Sequence, residues 1–293
     1  MDNYLIIRKM NVTEANMDAA PIVVGSPSIP AVMGFAHALE RLLQSSYPGV
    51  LFTSAGISCH SFQPGIHNTG EGTKVSMTRN PPYEQKHLEK GVPFIEEGKA
   101  DMQVSLILRI EGESFDGSVL CETVEGLLPR LRFSGGTIWK PQDVIFRSCP
   151  RDDEPGQKKI LKTLMPGFVL QERRDLVEKS MENGLDVLDA VLDHLELRRV
   201  DSEQDDVTDR SWERKSGEAG WLVPIVVGYR DISGTLQVPN QRDPECAHCF
   251  AENVITLGEY MMPIRLDRID SMLWKSYVDP DHGLYLYTQH IKT

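Results

Sequence analysis

The chain has 293 residues and a hydrophobic share of 40%, enough for one large domain or two modest ones with a packed interior, which excludes a disordered chain. Its formal net charge of −12, from 31 Lys and Arg against 43 Asp and Glu, argues against a free-standing nucleic-acid binder, whose footprint is normally basic. No apolar run reaches the roughly 18 residues needed to span a bilayer, Met1-Asp-Asn-Tyr4 lacks the features of a signal peptide, and five irregularly spaced cysteines fit reduced thiols; a cytoplasmic protein with no membrane partner is expected.

Tyr4 to Met10 reads as a strand rich in Leu and Ile. The Gly25-Ser-Pro-Ser28 turn then runs into an amphipathic helix: Ser28 is a good N-cap and Pro30 falls in the first turn, where its missing N–H does no harm. Val32, Phe35, Leu39, Leu42 and Leu43 recur at helical spacing and should face a core, leaving Met33, His37, Glu40, Arg41 and Gln44 on the other side. Val50 to Phe62 suits a strand or bent strand pair. From Gln63 to Lys99 the pattern breaks under repeated Pro and Gly, with only Lys74 to Thr78 strand-like, as in an insertion or long hairpin.

The cleanest alternation follows, with Met102, Val104, Leu106, Leu108 and Ile110 on one face and Gln103, Ser105, Ile107 and Arg109 on the other, predicting a strand with one buried and one mostly open face. Ser118 to Leu128 suits a helix, and Leu131 to Trp139 a strand broken by Gly135-Gly136. Without the insertion the order is strand, helix, strand, strand, helix, strand, the ferredoxin-like signature of an α+β fold with helices on one sheet face. The expected layout is a core over residues 1–145, with the insertion at about 63–99, and a C-terminal α+β region over 146–293 packed on it.

In that second region Gln157 to Leu164 is a short basic helix candidate and Pro166 to Leu170 a short strand. Leu185, Leu188, Val191, Leu192 and Leu195 mark an amphipathic helix. Residues 200–219 hold seven acids and three bases in an expected loop, a third of the net excess. Trp221 to Tyr229 reads as a strand whose Pro224 suggests an edge. Ala251 to Tyr260 and Ile264 to Tyr277 read as helices, and Leu284 to Thr288 as a closing strand.

Few residues carry recognisable chemistry. Cys246-Ala-His-Cys249 is half of a zinc site without its other half, so no metal or other cofactor is expected. His37 with Arg41 one turn on, or His60, has the residue types for metal-independent RNA cleavage, while a lone polar-face histidine is more often a surface group or a hydrogen-bond donor. The Walker loop, the Rossmann fingerprint, Gly-x-Ser-x-Gly and His-Glu-x-x-His are all absent. Between Lys74 and Lys90 four bases face two acids, a local balance suited to phosphate contact or to a solvated loop.

Several ordered blocks carry a family resemblance: Gly25-Ser-Pro-Ser28, Gly34-Phe-Ala-His-Ala-Leu-Glu-Arg41, Gly56-Ile-Ser-Cys-His60, Thr73-Lys-Val75 with Thr78-Arg-Asn-Pro81, and Glu96 through Leu106. Downstream stand Leu164-Met-Pro-Gly-Phe168, Gly220-Trp-Leu-Val-Pro224, Phe250-Ala-Glu-Asn253, Leu257-Gly-Glu259 and Gly283-Leu-Tyr285. Together they resemble the second Csy subunit of type I-F CRISPR surveillance complexes, almost end to end and in order. The resemblance implies a RAMP fold, a ferredoxin-like (RRM-type) core with a β-hairpin thumb between its second and third strands. It also implies a non-catalytic subunit that pairs with the large Csy subunit, lies against a backbone Csy subunit, and holds the 5′ handle of the CRISPR RNA. The complex meets invading double-stranded target DNA by base pairing. The alternative on the same fold is a metal-independent endoribonuclease acting on CRISPR repeat RNA. By their place in the matching blocks Lys74, Arg79 and Asn80 on the thumb, His37 and Arg41 on the helix, and His60 at a strand end are the expected RNA contacts, with Gly135 and Gly136 admitting close backbone approach. An embedded subunit needs basic surface only where RNA lies, and its acidic excess suits basic protein neighbours.

Overall fold

The computed structural model describes residues 1–25, 27–69, 72–75, 83–84, 87–91, 98–112, 115–204, 207–239, 241 and 243–290. The long strand β1 (Asp2–Asn16) opens the chain, followed by the short pair β2 (Asp18–Ala20) and β3 (Val23–Val24) and by helix α1 (Ile29–Leu43). Ser28 caps α1 as expected: its backbone is extended, its Oγ accepts from the Ala31 N–H at 3.2 Å, and Pro30 occupies the first turn. Next come β4 (Leu51–Pro64) and the insertion, with β5 (Ile66–Thr69) paired to β6 (Gly72–Val75) and β7 (Tyr83–Glu84) paired to β8 (His87–Gly91). Then follow β9 (Lys99–Glu111), α2 (Gly117–Leu127), β10 (Arg132–Phe133), β11 (Gly136–Ile138) and β12 (Asp143–Cys149).

Side by side, the first-half strands run β12, β1, β9, β4, every neighbour antiparallel, and both helices cross between strands that are not adjacent. The insertion joins β4 to β9 as hairpins, where the thumb was expected. Leu131 to Trp139 does not supply the fourth long strand. Ser134 (φ 46°) and Gly135 (φ 77°) make a two-residue turn that folds this stretch into the β10–β11 hairpin, so Asp143–Cys149 pairs with the first half of β1 instead. The boundary expected at residues 145–146 falls inside β12.

The second half adds α3 (Glu154–Lys162), β13 (Phe168–Glu172), α4 (Arg174–Glu182), α5 (Val187–Leu195), β14 (Leu197–Gln204), β15 (Val207–Arg214), β16 (Trp221–Asp231), β17 (Ala251–Met261), β18 (Lys275–Asp279) and β19 (Leu284–Thr288). β13 pairs with the free edge of β4, and the sheet continues through β17, β16, β19 and β18. Three expectations give way here. Ala251 to Tyr260 is a strand, its β-branched Val254-Ile-Thr run paired with β16 and its Gly258–Tyr260 end held between β16 and β13. Ile264 to Tyr277 forms two 3₁₀ turns, Pro263–Arg265 and Ile269–Met272, and then β18; Leu266, Ile269 and Met272 recur every three residues, the repeat of a 3₁₀ helix, and all are buried. The acidic stretch around 200–219 is mostly the β14–β15 hairpin. At Pro224 the edge reading holds locally, because β19 pairs only with Gly228–Arg230 of β16.

The sheet bends around α1, whose buried Val32, Phe35, Leu39 and Leu43 pack in one cluster with Ala55 and Ile57 of β4 and Ile225 and Val227 of β16. Each such side chain, fully buried, contributes about 1.5–3 kcal/mol. The opposite face departs furthest from expectation. Ser105, Ile107 and Arg109 are buried, because α3 and residues 263–274 lie across β1 and β9 with Ile160, Leu161, Leu164, Ile269, Met272 and Leu273 packed on Tyr4, Ile6 and Ile107. Arg109 stands beneath that cover. It pairs with Asp2 at 3.3 Å and with Asp270, and donates to the Tyr4 hydroxyl at 3.1 Å, while Arg151 holds Asp2 from outside at 2.9 Å. Replacing Arg109 by Met leaves Asp2 and Asp270 without their shared cation and is expected to destabilise the protein by about 3 kcal/mol in urea unfolding; a change within 0.5 kcal/mol, the ordinary surface range, would show that the cluster does not hold the cover in place.

Candidate nucleic-acid interface

One end of the sheet gathers three of the eight expected residues, Lys74, Gly135 and Gly136. β4 enters the thumb at Pro64, β9 leaves it at Lys99, and β1 ends beside them with Asn16 opposite Lys99. The β10–β11 hairpin closes the same end: the Asn16 N–H donates to the Ser134 carbonyl at 2.7 Å, and Lys99 Nζ donates to Asn16 Oδ1. Lys74 lies on β6 of the insertion, and Gly135 and Gly136 lie in the hairpin. His60 lies four residues before Pro64, about 13 Å along a strand. Arg79 and Asn80 fall outside the described residues.

Both glycines answer demands within the chain. Gly135 takes the left-handed position of the turn, and a Cβ on Gly136 would stand 2.7 Å from the Thr13 carbonyl and 2.8 Å from the Ala15 nitrogen. The hairpin therefore sits tight against β1, with its tip at the mouth of the thumb.

His60 is held by a chain of hydrogen bonds that fixes its tautomer. The Lys9 N–H donates to Ser105 Oγ at 2.9 Å, and the ring bonds Ser105 Oγ through Nε2 at 2.6 Å and the Pro166 carbonyl through Nδ1. A carbonyl only accepts, so Nδ1 carries the proton and Nε2 accepts from the serine hydroxyl. Burial pushes the ring's pKa below its ordinary 6.5, the bond to Pro166 opposes this, and the Lys9 and Arg8 cations add to the lowering. Neither ring nitrogen is left to act as a base. Lys9 sits in a bulge of β1 at φ 49°, and its ammonium has no ion-pair partner among the described residues.

His37 and Arg41 do not join this group. Both are exposed on α1, which begins at the thumb end and runs away from it, so Arg41 stands near the opposite end, sharing a shallow concavity with Arg130. His37 Nδ1 lies 3.9 Å from Glu40, whose other oxygen accepts from the Phe52 N–H at 2.6 Å. The sheet separates His37 from the ring of His60, which bonds on the opposite face.

An aromatic row escaped the sequence reading. Phe168, Trp221 and Tyr260 stand side by side on β13, β16 and β17, ring centroids 5.3 and 5.1 Å apart, and Tyr260 packs against the same core cluster as Phe62 of β4 and Met33 of α1. Trp221 is 53% exposed. The signal was present in the blocks Gly167-Phe168 and Gly220-Trp221, each an aromatic following glycine at a strand start. Beneath the row, burial pushes the Cys59 thiol up to about 11, an inert packing group. Cys246 and Cys249 are exposed, and no cluster of three metal-binding side chains occurs among the described residues. No helix among them is long and apolar enough to cross a membrane.

Residues 5–287 match the family described as CRISPR-associated protein (Cas_Csy2), nearly the whole chain. The chain belongs to the Csy2 family. CRISPR-associated protein Csy2 of Pseudomonas aeruginosa (strain UCBPP-PA14) is 30% identical over 313 aligned residues, covering 97% of this chain and 94% of that one. The Csy2 likeness runs through the thumb-end sheet, the cover over its second face and the aromatic row alike.

The His60 chain carries a pH signature. Its folded pKa is depressed, so the unfolded state binds more protons as pH falls past 6.5; the stability this group supplies is complete above that value and is lost on acidification through and below it. Wild type is therefore expected to lose more stability than His60→Gln between pH about 7.5 and 5.5 in parallel thermal melts. Equal losses would show that the ring is not buried neutral.

Proposed function

We propose that this chain is the non-catalytic subunit of a type I-F CRISPR RNA-guided surveillance complex that binds the 5′ handle of the CRISPR RNA together with the large subunit. Target DNA is met through the complex, by base pairing to the guide. The observation that carries this reading is the convergence of the thumb, Lys99, the β10–β11 hairpin and the start of α1 at one end of the sheet, in a chain of the Csy2 family. The order β12, β1, β9, β4 with two crossing helices supports a ferredoxin-like, RAMP-type core.

The covered second face supports the same placement. In an open sheet of this order RNA would lie across the strands; here α3 and residues 263–274 occupy that ground, leaving the thumb end and its margins. Lys9, with no acidic partner among the described residues, and the thumb bases suit phosphates, and the Phe168–Trp221–Tyr260 row suits splayed bases, each stacked base worth about 1–3 kcal/mol. The endoribonuclease reading draws no support from this geometry, since His37 and His60 lie on opposite sides of the sheet and both ring nitrogens of His60 are bonded.

Co-expression with the other Csy subunits and a CRISPR array is expected to yield a ribonucleoprotein containing this chain, and recovery of a complete assembly that lacks it would overturn the reading. Within that assembly Lys74→Ala with Arg79→Ala is expected to flatten the salt dependence of RNA retention by about one unit of slope per lost phosphate contact. An unchanged slope would remove both residues from the interface.

A further inference from the structure

The leucines at 185, 188, 192 and 195 have the spacing of a stripe meant for burial, yet the chain does not bury most of it. α5 turns Ala190, Val191 and His194 inward, against Leu176 and Val177 of α4 and Leu222 and Leu257 of the sheet. Leu195 is half-buried at the margin. Leu188 is left 54% and Leu192 52% exposed, and Met181, Leu185 and Val187 stand exposed around them. Every residue from 181 to 189 is exposed. The surface continues onto the β14–β15 hairpin: Leu197 and Trp212 are exposed, the register puts them on one face with Arg214, and Arg214 Nη1 donates to the His194 carbonyl at 3.2 Å, which turns that face toward α5. Contiguous apolar surface of this extent on a folded chain marks a contact.

The rim says what kind of contact. Residues 175–196 contain seven acids (Asp175, Glu178, Glu182, Asp186, Asp189, Asp193, Glu196) and one base (Lys179), a balance of 1 − 7 = −6, half of the chain's −12. Asp193 and Glu196 are tied to Lys215 at 2.8 and 3.3 Å, and Asp175 to Arg173 at 3.0 Å. Glu178, Glu182, Asp186 and Asp189 have no basic partner among the described residues. Four unneutralised carboxylates around an apolar centre repel nucleic acid and anionic lipid. They disfavour a second copy as well, because a two-fold contact would set the same acids against themselves. A protein face with an apolar centre and a basic rim is complementary.

We infer that the α4–α5 surface, centred on Leu188 and Leu192, docks a basic protein partner. The inference rests on the reading of this chain as a subunit of an RNA-bearing complex, whose protein neighbours carry the Lys and Arg that RNA requires. The patch lies over β16 and β17, on the opposite face from the aromatic row, so RNA and partner do not compete for the same ground.

The test uses the complete assembly, purified through a tag on this chain, with wild type beside Leu188→Glu/Leu192→Glu and beside Glu178→Lys/Glu182→Lys. Native mass spectrometry reads the protein subunits, and ultraviolet crosslinking reads RNA on this chain. Loss of one protein partner by at least about tenfold in the first variant, and a weaker loss that grows with salt in wild type but not in the charge-reversed variant, is expected. The altered leucines are exposed, and an unchanged melting temperature of the variant chain separates lost docking from lost folding. Assemblies identical in composition for all three chains overturn the inference. So does a wild-type chain that self-associates through these leucines, or one that binds anionic vesicles through them. A wild-type assembly that holds its partner while no RNA crosslinks to this chain overturns the RNA-handle reading and leaves the docking result standing; a wild-type chain that enters no assembly overturns both.

Discussion

Arg109 is the point where the two halves of the chain are tied together. Its guanidinium reaches Asp2 from the first strand and Asp270 from the 3₁₀ turn that crosses the sheet, and the Tyr4 hydroxyl completes the set. A buried guanidinium without these partners would be costly, so the cover can lie over β1 and β9 only where its carboxylate meets the cation. Once it does, Ile269, Met272 and Leu273 fill the space above Ile107, and the broad face of the sheet is closed to any ligand. What remains open there is then the end of the sheet rather than that face of β1 and β9.

The bending of the sheet has a matching effect on the other face. Because β16 returns to touch α1, the helix is enclosed, and its exposed residues His37 and Arg41 are left on a narrow outward strip away from the thumb. The aromatic row is brought to the margin of that enclosure, with Tyr260 packed against its core. Proximity at the thumb end thus comes from chain direction: β4 arrives there, β9 departs, β1 stops and α1 starts.

Much of the first half was legible in the sequence because its signals are local. Ser28 and Pro30 specify a helix start whatever the surroundings, and the alternation from Met102 to Ile110 specifies a strand. The same alternation misled about the second face, since Ser105 and Arg109 look like solvent residues until Lys9, His60 and Asp270 arrive to bond them, from 45 to 161 residues away. Ala251 to Tyr260 looked helical because its neighbours β13 and β16 are not visible locally. The α5 stripe was legible as a period but not as a direction; helical spacing says which residues share a face, not whether this chain or another covers it. Of the candidate site, the place of Lys74 in the insertion and of Gly135 and Gly136 in a turn could be read by position, whereas the separation of His37 from His60 by the sheet could not.

The tie at Arg109 also sets a clock on synthesis. Asp2 is among the first residues made, yet the partner that completes its cluster lies 161 residues beyond Arg109. At roughly 5–20 residues per second, a ribosome that has finished β9 needs on the order of 10–30 s more to deliver Asp270. Through that interval Ile269, Met272 and Leu273 are missing from the cover over Tyr4, Ile6 and Ile107, and α3 is the part of it already made. Truncations that end before residue 269 leave that surface with α3 as its cover and Arg109 without Asp270.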